Sequence, residues 1–244
     1  MQIRPVRRVA VAALTAVMAM VATISPAGAF TDVTPSHPFY TEISWAVNNG
    51  IVQGYPNNTF RGTNQVTRQA ASAFIFRLAA NPAYTPPGSP TFPDVATDHT
   101  FYREIEWMNA VGLTTGYSDG TFKPGSPVTR QAMAAYICRI FECYENAPHP
   151  NELPQFFFDV GRTHPFFIDI TFMFIAEIAD GYPYGFGYIF KPSGIVTRQA
   201  ATAFLYRLDQ LVISSTSTSG GTGTRSVPAS PGWQFTPPEL GTIG

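Results

Sequence analysis

One block of residues occurs three times along this chain, and nothing else in it constrains the fold as strongly. Phe-Thr-Asp-Val at 30–33 returns as Phe-Pro-Asp-Val at 92–95 and Phe-Phe-Asp-Val at 157–160. With Asp32, Asp94 and Asp159 as origin, His37, His99 and His164 stand at +5, and Phe39, Phe101 and Phe166 at +7. Glu42, Glu104 and Asp169 follow at +10, and Trp45, Trp107 and Phe172 at +13. A Gly-Tyr pair comes next at 54–55, 116–117 and 181–182, then Val-Thr-Arg-Gln-Ala at 66–70, 128–132 and 196–200. Copies one and two keep register throughout, and copy three carries three extra residues between Gly181 and Phe190. Self-similarity at a fixed period is the signature of units that bury a shared core by stacking.

Each unit reads as helix, loop, helix. Phe39, Ile43, Ala46 and Val47 fall on one helical face, and Gly50 suits the left-handed residue that ends such a helix. Gly-Tyr-Pro-Asn-Asn-Thr-Phe and Gly-Tyr-Ser-Asp-Gly-Thr-Phe are turn sequences with a short extended end. Thr67, Thr129 and Thr197 are predicted N-caps of the second helices, whose buried stripe in copy one is Ala71, Phe74, Ile75 and Leu78. Copy three has Glu177 where the others have Gly50 and Gly112, so its first helix is expected to run on or end differently. The predicted fold is mainly α: three tandem helix-loop-helix repeats with short extended segments. The expected division is a leader over 1–29, repeats over 30–89, 90–153 and 154–213, and a flexible Ser/Thr/Gly/Pro-rich tail over 214–244. Gly 20 and Pro 22 agree with many short elements.

The leader expectation rests on three arginines before residue 9, the apolar run 9–24 and Ala27-Gly28-Ala29, which together read as an export signal cut before Phe30. The run is too short for a retained membrane helix, and no second one follows, so no membrane span is expected in the mature chain. A net charge of -1 excludes a broad basic surface for nucleic acid. Cys138 and Cys143, five apart, allow a disulfide only if the helix carrying Cys138 ends near Ile140. The three histidines precede a helix start and read as caps or surface residues rather than metal ligands, and the three repeat aspartates as loop caps. No nucleophile elbow, phosphate loop or zinc-protease motif is found, so neither an enzyme nor a cofactor is expected.

Phe-x-Asp-Val, His-x-Phe-Tyr-x-Glu-Ile-x-Trp, Gly-Tyr-x-Asp-Gly-Thr-Phe-x-Pro and Val-Thr-Arg, in that order, resemble the S-layer homology repeat over about residues 30–212. The Val-Thr-Arg-Gln-Ala form is similar to versions common in high-GC Gram-positive bacteria, and the bias to Arg over Lys agrees. The resemblance implies a pseudo-three-fold helical domain, grooves between repeats that bind secondary cell-wall polysaccharide, often through a pyruvylated sugar, and non-covalent anchoring of a secreted protein at the cell wall. Arg68, Arg130 and Arg198, each at a helix N-terminus, suit the carboxylate of such a sugar. Gln69, Gln131, Gln199, Trp45, Trp107 and Asp119 are the further candidate glycan contacts. The alternative for each arginine is an ion pair with its repeat's own Asp or Glu. The family's frequent Thr-Arg-Ala-Glu is a capping box, whereas Ala70, Ala132 and Ala200 hold the Glu position here. The alternative function is a structural or adhesive surface protein that recruits a protein partner.

Overall fold

The structure, a computed structural model, describes residues 30–144 and 147–217. The leader expected over 1–29 and the tail beyond residue 217 lie outside the described residues. The first helices of the three units are α1 (Tyr40–Asn48), α3 (Tyr102–Ala110) and α5 (Phe167–Ile175), and the second helices are α2 (Arg68–Leu78), α4 (Arg130–Ile140) and α6 (Arg198–Ser217). The last of these continues past the tail boundary expected at 214. A two-stranded antiparallel hairpin, β1 (Tyr182–Tyr184) and β2 (Gly187–Ile189), occupies the longer loop of copy three.

The first helices begin without a side-chain cap on their N-cap residue. Instead the histidine two residues earlier accepts the backbone N–H of that residue through Nδ1, at 3.1 Å in all three copies. The histidines are therefore turn caps, and no metal-holding cluster is found among the described residues. Each helix ends in a Schellman motif: Ile51, Leu113 and Ile178 donate back to Ala46, Met108 and Met173. The residue that turns the chain is left-handed in every copy, at φ 68° for Gly50, 78° for Gly112 and 55° for Glu177. The expected difference at Glu177 is thus not found. α5 has the same nine-residue length as α1 and α3. Burial of Ile178 beyond the cap stabilises the motif enough to hold a non-glycine residue there.

Thr67, Thr129 and Thr197 cap the second helices as predicted, accepting from Ala70, Ala132 and Ala200 at 3.3–3.4 Å. α4 stops at Ile140, and Cys138 and Cys143 form the disulfide that this ending permits. Tyr144 follows directly, and its hydroxyl donates to the Asp169 carboxyl of α5.

No unit is self-contained. α2 packs on α3, α4 on α5, and α6 returns to α1, so every helix pair joins two different repeats and the ring closes. Aromatic pairs mark these contacts: Phe76 with Trp107, Phe141 with Phe172, and Trp45 with Tyr206, at centroid separations of 5.2, 5.2 and 5.4 Å. At the centre the three Val-Thr-Arg segments meet. The N–H of Val66 donates to Val196 C=O, Val196 to Val128, and Val128 to Val66, a cycle of three backbone bonds that defines the pseudo-three-fold axis. All three valines are buried.

Candidate functional site

Three loops and three helix ends meet at the junctions between repeats. Each loop is clamped within its own unit by the repeat aspartate. Asp32 accepts from the N–H groups of Phe60 and Arg61, Asp94 from Phe122 and Lys123, and Asp159 from Phe190 and Lys191. Burial works to raise the Asp32 carboxyl, but these backbone donors outweigh it and hold it below its ordinary value. The clamp fixes a left-handed cationic residue, Arg61, Lys123 or Lys191, immediately after a fully buried phenylalanine.

Into each clamped loop reaches the arginine of the neighbouring repeat. Arg68 Nε donates to Phe122 C=O at 2.7 Å, Arg130 Nε to Phe190 C=O at 2.7 Å, and Arg198 Nε to Phe60 C=O at 3.0 Å. Arg68 adds a bond to the Tyr136 hydroxyl and Arg198 one to Gln53 C=O, both 2.8 Å long. The guanidinium carbons lie over the rings of Phe122, Phe190 and Phe60 at 4.3–4.7 Å, and over Tyr117, Tyr182 and Tyr55 at 4.8–5.1 Å. Only 7, 7 and 9% of these three residues is exposed. Burial lowers the Arg130 and Arg198 guanidinium pKa values, with Tyr182 and Tyr55 acting in the opposite sense.

The ion-pair alternative does not occur for these arginines among the described residues, whose ion pair is Lys123–Asp119. The helix ends also differ from expectation. The first two N–H groups of each second helix are already taken by carbonyls of the neighbouring loop, Ser126 and Pro124 for α2, Gly194 and Pro192 for α4, and Asn64 and Gly62 for α6. The third goes to the threonine cap. An anion at these junctions therefore meets the guanidinium, not a helix N-terminus.

What remains open is the terminal guanidinium nitrogens. Among the described residues no buried side-chain nitrogen or oxygen lacks a hydrogen-bond partner. The terminal nitrogens of Arg130, which take no protein acceptor, therefore reach solvent. A second cation stands beside each: Arg61 lies over Tyr55 at 4.1 Å, Lys123 over Tyr117 at 4.2 Å and Lys191 over Tyr182 at 4.3 Å. Every junction thus brings two cations to one tyrosine. These second cations were missed in the sequence, although a basic residue after each Thr-Phe or Ile-Phe pair is the signal that finds them.

The other predicted contacts divide. Trp107 is buried on Phe76, so it is core rather than a sugar platform. Trp45 is half-buried at the α1–α6 contact. Gln69, Gln131 and Gln199 are half-buried beside the arginines, Gln199 lying against Gly62. Asp119 is exposed and locks its own turn, accepting from the N–H and hydroxyl of Thr121. Its hydrogen bonds from Thr121 and Lys123 hold its carboxyl far below the ordinary value.

The repeat geometry agrees with comparison to known proteins. Residues 29–72 and 91–134 match the S-layer homology domain. Cell surface glycoprotein 1 of Acetivibrio thermocellus is 29% identical over 170 residues, which cover 66% of this chain and 7% of that protein. An endoglucanase of a Bacillus species is 25% identical over 180 residues, 73% of this chain and 18% of the enzyme. A cellulosome-anchoring protein of A. thermocellus is 30% identical over 94 residues, 38% of this chain and 21% of that protein. The first and second units of this chain are thus similar to the S-layer homology domain. The third unit lies outside the matched segments but repeats their aspartate clamp, histidine cap and arginine reach bond for bond. The chain spans about a fifth or less of the length of these relatives.

Proposed function

We propose that the protein anchors to the bacterial cell envelope from outside the cell, without a covalent bond, by binding an acidic wall polysaccharide at its inter-repeat junctions. The observation that carries this reading is the pair of cations held against one tyrosine at each junction. Like charges placed together by the fold repel, and an anion between them offsets that repulsion. Each arginine spends one or two nitrogens on the neighbouring repeat and keeps the rest for a ligand, while the tyrosine offers a ring beside the charge. A pyruvylated sugar has this chemistry, since its ketal carboxylate takes a guanidinium and its ring packs on an aromatic face. Gln69, Gln131 and Gln199, next to the arginines in sequence and half-buried, are the proposed partners of the sugar hydroxyls. The same role is supported by the similarity to a cellulosome-anchoring protein. Binding rather than catalysis is the proposed activity.

The test is sedimentation of the full chain with purified cell walls before and after the wall polysaccharide is stripped. Binding to intact walls that disappears on stripping, and weakens with salt, supports the reading. Equal binding to both preparations overturns it.

A further inference from the structure

Copy three departs from the other two on its surface, in the loop that carries the three extra residues. The hairpin β1–β2 pairs Tyr182 with Ile189, Pro183 with Tyr188 and Tyr184 with Gly187. Side chains two apart on a strand share a face, so Tyr182 and Tyr184 lie together. Gly187 opposite Tyr184 leaves room for a ring, and Phe158 fills it, lying over Gly187 and meeting Tyr184 edge-on at 6.4 Å. The segment carrying Phe158 is tied to β2 by its N–H bond to Tyr188 C=O, so this ring is fixed rather than dangling. Tyr184 is 60% and Phe158 64% exposed, an unusual placement for two fixed rings. No residue from Gly181 to Phe190 is charged. At the inner end of this face, the ring of Tyr182 carries both Arg130 and Lys191.

We propose that Tyr184 and Phe158 extend the junction between repeats two and three into an aromatic platform for the uncharged sugar rings that follow the acidic sugar along the wall polysaccharide. The inference rests on the glycan reading above and adds to it which junction takes more than one sugar, and through which side chains. Two features argue for a sugar occupant. The face is continuous with the cation pair, so a chain entering there with its carboxylate on Arg130 and Lys191 runs out over Tyr184 and Phe158. It is also aromatic and uncharged, which suits the C–H faces of pyranose rings. Copies one and two place Asn57-Asn58 and Ser118-Asp119 in the corresponding loops and have no such face.

The test uses the full chain, titrated by calorimetry with polysaccharide released from Gram-positive cell walls by hydrofluoric acid and, separately, with the single-repeat acidic fragment of that polymer. In the double variant Tyr184→Ala/Phe158→Ala, affinity for the polymer should fall about tenfold, while affinity for the fragment stays and the melting temperature is kept. Tyr184→Phe, which keeps the ring, should bind the polymer like the parent. Unchanged polymer affinity in the double variant, with binding still lost in Arg130→Ala, overturns the platform and leaves the anchoring reading intact. Failure of the parent protein to bind the polymer at all overturns both. Self-association of the parent that disappears in the double variant, with polymer affinity unchanged, makes a second copy the occupant and overturns the proposal.

Discussion

The junctions that Arg68 and Arg130 enter are built on one scaffold and present opposite surfaces. Both receive a buried arginine from the preceding repeat, both clamp their loop through an aspartate, and both set a lysine over the tyrosine. In repeat two the turn is short and acidic, and Asp119 neutralises Lys123 at 2.9 Å. In repeat three the turn is longer, has Tyr184 where Asp119 stood, and leaves Lys191 with no acid in ion-pair contact among the described residues. Arg68 is tied by two hydrogen bonds and Arg130 by one. The interior of a repeat is thus held constant while its loop tip sets the charge and shape offered to a ligand. The closed ring of helix pairs is the reason this works, because stability comes from contacts that the tip does not touch.

The largest expected effects probe the shared scaffold. Phe122→Ala and Phe190→Ala each remove a fully buried ring under the arginine, and each should cost about 3–5 kcal/mol in chemical denaturation. A much smaller loss at Phe190 would break the equivalence of the two loops. Next come the arginines. Arg68→Ala removes two charge-assisted bonds and should cost about 3 kcal/mol of stability, against about 2 kcal/mol for Arg130→Ala. Wall binding should rank the other way, since Arg130 has more free donors. If both variants lose stability equally and binding equally, the junctions are not differentiated.

A smaller effect separates the repeats by pH. Glu42 and Glu104 are half-buried, whereas Asp169 at the same position is buried under Tyr144 of the preceding unit. Burial raises the Asp169 pKa, with the Tyr144 hydroxyl and Arg139 acting against it. The neutral form therefore favours the folded state, and stability contributed by protonation is lost as pH rises from the ordinary value near 3.8 through the raised folded value. Relative to Asp169→Asn, the parent should lose stability over that interval, by about 1.4 kcal/mol for each unit of the shift. A parent that gains on Asp169→Asn as pH rises would show the Tyr144 contact prevailing over burial.

How much of this was legible in the sequence follows the range of the interaction. Local features were readable: the threonine caps, the aspartate clamps, the histidines as caps, and the condition under which Cys138 reaches Cys143. The identity of the junction arginines was readable too, but not their partners, because nothing in Val-Thr-Arg says that its guanidinium lands on the phenylalanine carbonyl of the next unit. For the same reason the helix N-termini looked free for an anion, when six loop carbonyls from neighbouring repeats occupy them. Glu177 was misjudged because glycine preference is a local rule, and burial of Ile178 overrides it. The hairpin went unread although Tyr-Pro-Tyr-Gly-Phe-Gly-Tyr-Ile has a turn pair between extended residues, a hairpin signal in its own right.

The smallest expected change is the most direct test of the contrast between the two junctions. Asp119 does two things: it accepts from Thr121 to shape the turn, and it neutralises Lys123. Asp119→Asn keeps an oxygen for the Thr121 N–H and removes only the charge. Because both Asp119 and Lys123 are exposed, exposed ion pairs contribute little, and the melting temperature should hardly move. Lys123 would then stand over Tyr117 uncompensated, as Lys191 stands over Tyr182. Titration with the acidic wall-polymer fragment should show a few-fold gain in affinity, steeper in salt dependence than the parent's. Combining Asp119→Asn with Arg68→Ala should abolish that gain, since the guanidinium and the freed lysine act on one anion. A gain that survives Arg68→Ala would place the anion on Lys123 alone and detach it from the junction. No gain in either background would mean that Lys123 does not face the ligand, and that the difference between repeats two and three lies in the aromatic hairpin rather than in charge.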